Sequence, residues 1–299
     1  MMHILKKKQI APIIIPTVHY KDRFGCPNSF VETNPSIFIE ESGKFAILVR
    51  TVNYLKYKNK SFQIYGDSSR SLYTIIRGQL DDEPITLDNC HVQQMDVNYN
   101  IPRQPSLWYG VEDIRFIDET TILACIPECN NSSPCLFKGK ITDNVLSWFE
   151  KCEPSQQEKN WMPYKSATED KIIYSVSPFI IKSIIRDDRQ TIQLTAPQNA
   201  DLDGWHGSSN GIDIFGAKLF LIHKNEDRVI NRWLLFNPIT HDISYSIPFV
   251  FFKDSYIEFS CSLAKYKDRV ITSVGVNDNR AFIIEVDPEE IAKLFSASN

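Results

Sequence analysis

The feature that most constrains the fold is a unit that recurs along the chain: an apolar β run, a short polar or glycine-bearing turn, and a second apolar run. It appears as Ile37-Phe38-Ile39 with Phe45 to Val49, and as Ile114-Arg115-Phe116 with Thr121 to Cys125. It returns as Lys165-Ser166-Ala167 with Ile172 to Val176, as Ile212-Asp213-Ile214 with Leu219 to Ile222, and as Ser262-Leu263-Ala264 with Val270 to Val274. The turns, such as Glu41-Ser42-Gly43 and Phe215-Gly216-Ala217, have hairpin chemistry, because glycine and short polar residues accept the left-handed backbone that tight loops need. Further β-rich segments lie between the units, at Phe62 to Tyr65, Phe179 to Ile185, Thr191 to Thr195 and Trp233 to Phe236, so each repeat holds about four strands.

Repeated hairpins of this kind predict an all-β fold, a five-bladed β-propeller with a short C-terminal helix. A single domain is expected over residues 1–299, with residues 1–30 as an N-terminal extension packing on it. A β-sandwich is the competing architecture, since the repeats are unevenly spaced. The helix is expected at residues 287–299, where Asp287 can cap, Pro288 fits the first turn and Glu289 and Glu290 complement the helix dipole.

Composition removes several function classes. Hydrophobic residues make up 42%, enough for a sizeable core, so disorder is not expected beyond the termini. The net charge is −4 and the one basic run is Lys6-Lys7-Lys8, which gives no electrostatic footprint for nucleic acid. Ile10 to Pro16 is apolar but short and broken by Pro12 and Pro16, with no cleavage signal and no span. A soluble, cytoplasmic protein is expected, and a homo-oligomer is compatible with the sequence. The seven cysteines are an odd number scattered through the chain, which favours reduced thiols. Cys125, Cys129 and Cys135 cluster without zinc-knuckle spacing or a nearby histidine, so neither a metal nor a cofactor is expected.

Each hairpin follows a compact polar motif: Asn34-Pro35-Ser36, Gly110-Val111-Glu112-Asp113, Glu158-Lys159-Asn160-Trp161-Met162-Pro163-Tyr164, Gly204 to Gly211 around His206, and Tyr256-Ile257-Glu258-Phe259. The innermost strand of a propeller blade starts at the central channel, so motifs at one place in successive blades converge on one pocket. That pocket would hold the carboxylates Glu112, Asp113 and Glu258, the cations Arg50, Arg115 and Lys159, the imidazoles His206 and His223, and the aromatics Trp108, Tyr109, Trp161 and Tyr164. Carboxylates do acid–base work, cations hold an anion such as phosphate, and aromatic faces suit sugar rings. Each residue also has a plainer use: Asp113 as a solvated residue before a strand, Lys159 lying on an aromatic ring, His223 as a structural histidine, and Glu258 as a buried carboxylate that needs a partner.

These motifs together, with Gly275-Val276-Asn277-Asp278 near the end, resemble glycoside hydrolase family 130 in order over roughly Asn34 to Asp287. The resemblance implies a five-bladed propeller enzyme acting on mannosides, as a β-mannoside phosphorylase, a mannosyltransferase or a hydrolase. It matches Asp113 to the general acid of the family's Gly-x-Glu-Asp-Pro-Arg motif, with Ile114 in place of the proline. It implies sugar and phosphate contacts by Arg50, His206 and Ser208, and extends the substrate-binding set to Asn34, Asn160, Ser209, Asn210 and Asp278.

The expected reaction is inverting glycosyl transfer, with Asp113 giving a proton to the glycosidic oxygen directly or through a substrate hydroxyl. Arg50, Arg115, Lys159 and a histidine would hold the phosphate of an acceptor or of a sugar phosphate or nucleotide-sugar donor. A proton donor must carry its proton when it acts, so Asp113, with a reference pKa of about 3.9, would need burial or the neighbouring Glu112 to raise it. Hydrolysis would instead use Glu258 as the base that activates water. A binding-only propeller would keep the aromatics and lack the acid. The stretch Asp67 to Gln104 departs most from the family pattern.

Overall fold

The computed structural model describes residues 2–15, 19–21, 27–59, 61–80, 85–87, 89–152, 159–166, 169–184 and 200–296. The expected strand segment Thr191 to Thr195 lies outside the described residues. Among those described, the fold is all-β apart from two short 3₁₀ turns and the helix Pro288–Ser296. No helix among them is long and apolar enough to cross a membrane.

The strands form successive antiparallel meanders. The first sheet runs Val31–Ile39, Lys44–Val52, Ser69–Gln79, His91–Gln94, and the second runs Glu112–Phe116, Thr121–Cys125, Leu136–Thr142, Val145–Lys151. The third has three described strands, Met162–Lys165, Asp170–Val176 and Phe179–Ser183. The fourth leads with two short strands, His206–Gly207 and Ile212–Ile214, both paired to Ala217–Asn225, and continues to Val229–Phe236. The fifth runs Glu258–Tyr266, Arg269–Val276, Arg280–Val286 and then, from the other end of the chain, Gln9–Ile13. Four of these sheets have four or more strands and are arranged as propeller blades.

The leading strands pack against one another: Val31–Ile39 meets Glu258–Tyr266 and Glu112–Phe116, and Glu112–Phe116 meets Met162–Lys165. Hydrogen bonds join them, with Ile37 N donating to Ser262 Oγ at 2.5 Å and Asn210 exchanging two bonds with the Leu263 backbone at 2.9 Å. The second strands read as near-continuous apolar runs because both of their faces are covered. In Lys44–Val52, Ile47 and Val49 face the fifth sheet while Leu48 faces the second, as the two-residue period requires. The remaining cores fill the gaps between the second and third sheets around Leu123 and Trp161, the third and fourth around Tyr164 and Phe220, and the fourth and fifth around Trp233 and Val274. The helix buries Ile291 and Leu294 in the last of these.

Four of the five expected hairpins form at the expected residues. In the third sheet the leading strand is Met162–Lys165, one turn earlier than Lys165-Ser166-Ala167, because Met162 and Tyr164 supply the buried face. Phe62–Ile64 is not a blade strand: it pairs with Tyr54–Lys56 as a separate hairpin beside the first sheet.

Candidate functional site

The leading strands do not run smoothly. Register shifts interrupt the first sheet between Thr33 and Ser36, the second between Glu112 and Arg115, and the fifth between Phe259 and Ser262. Such bulges re-aim side chains. Asn34 and Asp113 occupy two of them with φ of 37° and 48°, a left-handed backbone that Asn and Asp tolerate better than most residues. Close approach at the axis also dictates glycine. A Cβ on Gly275 would lie 2.2 Å from Asn34 Oδ1, and one on Gly207 would lie 2.1 Å from Asn160 O.

Asn34 and Asp113 thereby meet across two sheets. Asn34 Nδ2 donates to Asp113 Oδ1 at 2.8 Å, and Arg50 Nη1 donates to the same oxygen at 3.2 Å. Arg50 makes two further bonds, from Nη2 to Glu112 Oε1 at 2.5 Å and from Nε to Ser71 Oγ at 2.9 Å. Burial by itself would raise the Asp113 carboxyl, but Arg50, then Arg115, the Asn34 bond and Lys159 outweigh it and hold it below the ordinary range. Glu112 moves the other way, raised by burial and by the Asp113 charge against the pull of Arg50 and Lys159. This corrects the sequence expectation for Asp113: burial and the neighbouring Glu112 do not raise it here, and of the two carboxyls it is Glu112 that is raised.

These groups open on a cavity of about 750 Å³, within the range of about 300–1,000 Å³ usual for ligand pockets. Asn34, Arg50, Glu112, Asp113, Lys159, Asn160, His206, His223 and Asp278 all line it. His206 and His223 are cross-strand partners with ring centroids 5.8 Å apart. His223 is buried, shares a 2.7 Å hydrogen bond between Nδ1 and Ser208 Oγ, and is lowered to about 3 by burial and by the charges of His206, Arg115 and Lys159. His206 is lowered as well, by burial and by Lys159. Asp278 enters from the turn after Arg269–Val276 with φ of 52°, its carboxyl raised by burial although Lys56 Nζ lies 3.7 Å away.

Other expected site residues do not reach the cavity. Glu258 is fully buried behind it, accepting from Phe251 N and Phe252 N at 2.7 Å, from Asn231 at 3.1 Å and from Ser255. Its neighbours Ile257 and Phe259 line the cavity instead. Arg115 is buried beneath the floor, donating to the backbone oxygens of Ser208 and Asp113. Trp161 and Tyr164 are core residues, tilted against Tyr174 and edge-on to Phe220 respectively. Ser208, Ser209 and Asn210 are spent on His223, on Leu221 N and on Leu263, so they build the wall rather than face the space.

No protein-family model matches the sequence, and the comparison with curated proteins gives no match. Solved structures do match. A glycosyl hydrolase from Bacteroides ovatus aligns over 97% of this chain and 95% of its own at 13% identity, with a TM-score of 0.61. A β-1,2-mannobiose phosphorylase from Listeria innocua, solved with β-1,2-mannobiose, aligns over 90% and 93% at 14% identity, with a TM-score of 0.58. A structure reported for the glycoside hydrolase family 130 of mannoside phosphorylases, with hydrolases that target β-1,2-mannosidic linkages in Candida mannan, aligns over 97% and 95% at 14% identity and 0.60. The fold is glycoside hydrolase family 130-like.

On this family 130-like fold the sequence reading missed one wall of the cavity. Tyr54, Lys56 and Phe62, from the small hairpin beside the first sheet, line it; Tyr54 and Phe62 pack edge-on with Trp108 at 5.8 and 5.5 Å, and Lys56 Nζ lies 5.4 Å from the Phe62 ring. The hairpin stands outside the repeat, so a search keyed to the repeat passes over it. The density of aromatic and lysine residues from Tyr54 to Phe62 was the available signal. Among the described residues no group of three or more histidine, cysteine, aspartate or glutamate side chains is placed to hold a metal ion.

Proposed function

We propose that the protein is a carbohydrate-active enzyme on a single five-bladed propeller, transferring a mannosyl unit with inversion and using Asp113 as the proton donor. The sheet of three described strands is read as the fifth blade, since apolar cores lie on both of its sides and the fifth sheet packs back on the first. The observation that carries the functional reading is the placement of Asp113. Its Oδ1 is fixed by Asn34 and Arg50 at the base of a cavity lined by Lys159 and two histidines that resist protonation. The likeness in fold to mannoside phosphorylases supports the substrate class.

Phosphorolysis follows from these groups. A phosphate oxygen attacks the anomeric carbon, the glycosidic C–O bond breaks, and the departing oxygen takes a proton from Asp113 directly or through a substrate hydroxyl. Three of the five N–H groups of Arg50 are used within the protein, so the anion is held by Lys159 and His206 together with what Arg50 has left. A dianion placed there raises the Asp113 pKa, because a nearby negative charge disfavours the carboxylate, and the bound substrate thus supplies the condition for the acid to be protonated.

Hydrolysis is the second reading, favoured by Asp278, a cavity carboxylate that can serve as the base in place of Glu258. Incubating the protein with β-1,2-mannobiose with and without phosphate separates the two: mannose 1-phosphate formed only with phosphate supports transfer, and mannose formed without it supports hydrolysis. Asp113→Asn tests both. Turnover is expected to fall by about 10²–10⁴-fold with binding retained, since the amide oxygen still accepts from Asn34 and Arg50. Full activity in a folded variant would exclude Asp113 as the acid.

A further inference from the structure

We propose that Glu128, which belongs to none of the sequence motifs, is a positioning residue for Asp113: it fixes the turn that aims this carboxylate and bears on the arginine that steadies it. The inference rests on the reading of Asp113 as proton donor and adds a residue to that reading. Glu128 lies in the short turn Pro127–Cys129, between the strands Thr121–Cys125 and Leu136–Thr142 of the second sheet. Pro127 lines the cavity, and Glu128 is fully buried behind it.

Both oxygens of its carboxylate are used. Oε2 accepts from Gly110 N at 2.6 Å, Oε1 accepts from Arg103 Nε at 2.9 Å, and the Tyr99 hydroxyl donates to the same group. A carboxylate only accepts, so it can gather several donors from the connection that leads into the second sheet. Gly110 is the donor that bears on the site. Its φ of 104° and its approach to the first sheet, where a Cβ would come 2.3 Å from Ser71 O, require glycine there. Val111, the next residue, is fully buried between the first and second sheets, and the chain then reaches Glu112 and Asp113. Ser71 in turn accepts from Arg50 Nε at 2.9 Å, and Arg50 Nη1 donates to Asp113 Oδ1. The bond from Gly110 to Glu128 thus holds the backbone that carries Asp113 against the residue that holds its counter-charge. An ion pair for stability alone does not account for this arrangement: buried pairs are weak sources of net stability, and Arg103 keeps 44% of its side chain in solvent.

The test is a double-mutant cycle on turnover of β-1,2-mannobiose, with and without phosphate, with the folded fraction measured on the same samples. Glu128→Gln keeps the length of the side chain and loses its charge, while Glu128→Asp keeps the charge beside Arg103 and shortens the reach to Gly110. In either variant kcat per folded molecule is expected to fall by about tenfold, within the 10²-fold that a misplacement of about 1 Å can cost. KM is expected to stay at the wild-type value, because the proton is given only in the transition state. Added to Asp113→Asn, the same change is expected to cost nothing further, since no carboxylic proton is left to misplace. An equal fall in the Asp113→Asn background, an unchanged kcat per folded molecule, or failure of both variants to fold overturns the proposal and leaves Asp113 as the donor. Full turnover in Asp113→Asn alone, or none in the wild type, removes the proton-donor reading and the positioning role with it.

Discussion

Replacing Arg50 by Met removes one guanidinium and keeps an aliphatic side chain in its place. Two carboxylates then lose their shared counter-charge: Glu112 at 2.5 Å and Asp113 at 3.2 Å, with side chains only 20% and 24% exposed. Breaking a buried pair from one side costs about 3–5 kcal/mol, because the remaining charge is left uncompensated. For a chain of this size each kcal/mol shifts the thermal midpoint by roughly 2 °C, so the expected drop at pH 7 is roughly 6–10 °C.

The pH dependence carries the sharper signature. In the wild type the Asp113 pKa is depressed in the folded state, so the stability it contributes is present above its unfolded value of about 3.9 and is lost as pH falls through the lower folded value. Without Arg50 burial and mutual repulsion raise both carboxyls. Stability is then lost as pH rises from their unfolded values through the raised folded ones, and returns on acidification. Thermal midpoints of the two proteins between pH 4.5 and 7.5 should therefore converge at the acid end. A deficit below about 1 kcal/mol at pH 7, or one that does not change with pH, would refute the charge argument.

Glu258→Gln separates support from chemistry: an amide cannot accept all the donors that converge on this carboxylate, so stability should fall by about 1.5–3 kcal/mol, while turnover per folded molecule stays at the wild-type value. A loss of turnover beyond the unfolded fraction, measured on the same samples, would return Glu258 to the reaction. His223 should remain neutral down to about pH 3, so its ring resonances should not titrate between pH 5 and 8; an inflection near 6.5 would contradict its buried bond to Ser208.

The blades were legible because hairpins announce themselves twice, in the two-residue period of their strands and in their turn residues. The same logic located Asn34, Asp113, Lys159 and His206, since each begins a repeat and the repeats share an axis. It failed where phase mattered. Glu258 was expected to face inward, yet Ile257 and Phe259 line the cavity, so the period was right and its phase was inverted. Trp161 and Tyr164 turned to the core for a related reason: they share a strand region with Asn160, whose φ of 69° marks where the chain changes direction. Bulges and left-handed residues decide such matters, and an Asn or Asp in a sequence does not disclose which conformation it will adopt.

The pairing of Gln9–Ile13 with Arg280–Val286 has a consequence for biogenesis. The earlier strand leaves the ribosome long before its partner exists, and until then Ala11 and Ile13, both buried in the finished protein, have nowhere to go. Pro12, on the outer rim, lacks the N–H that would let a neighbouring chain extend the sheet at that point. A nascent chain stalled before Arg280 would hold a waiting strand at one end and an open sheet edge at Arg269–Val276 at the other. Both surfaces are matched to the missing strand Arg280–Val286, so a peptide of that sequence supplied separately should be captured between them by the truncated chain.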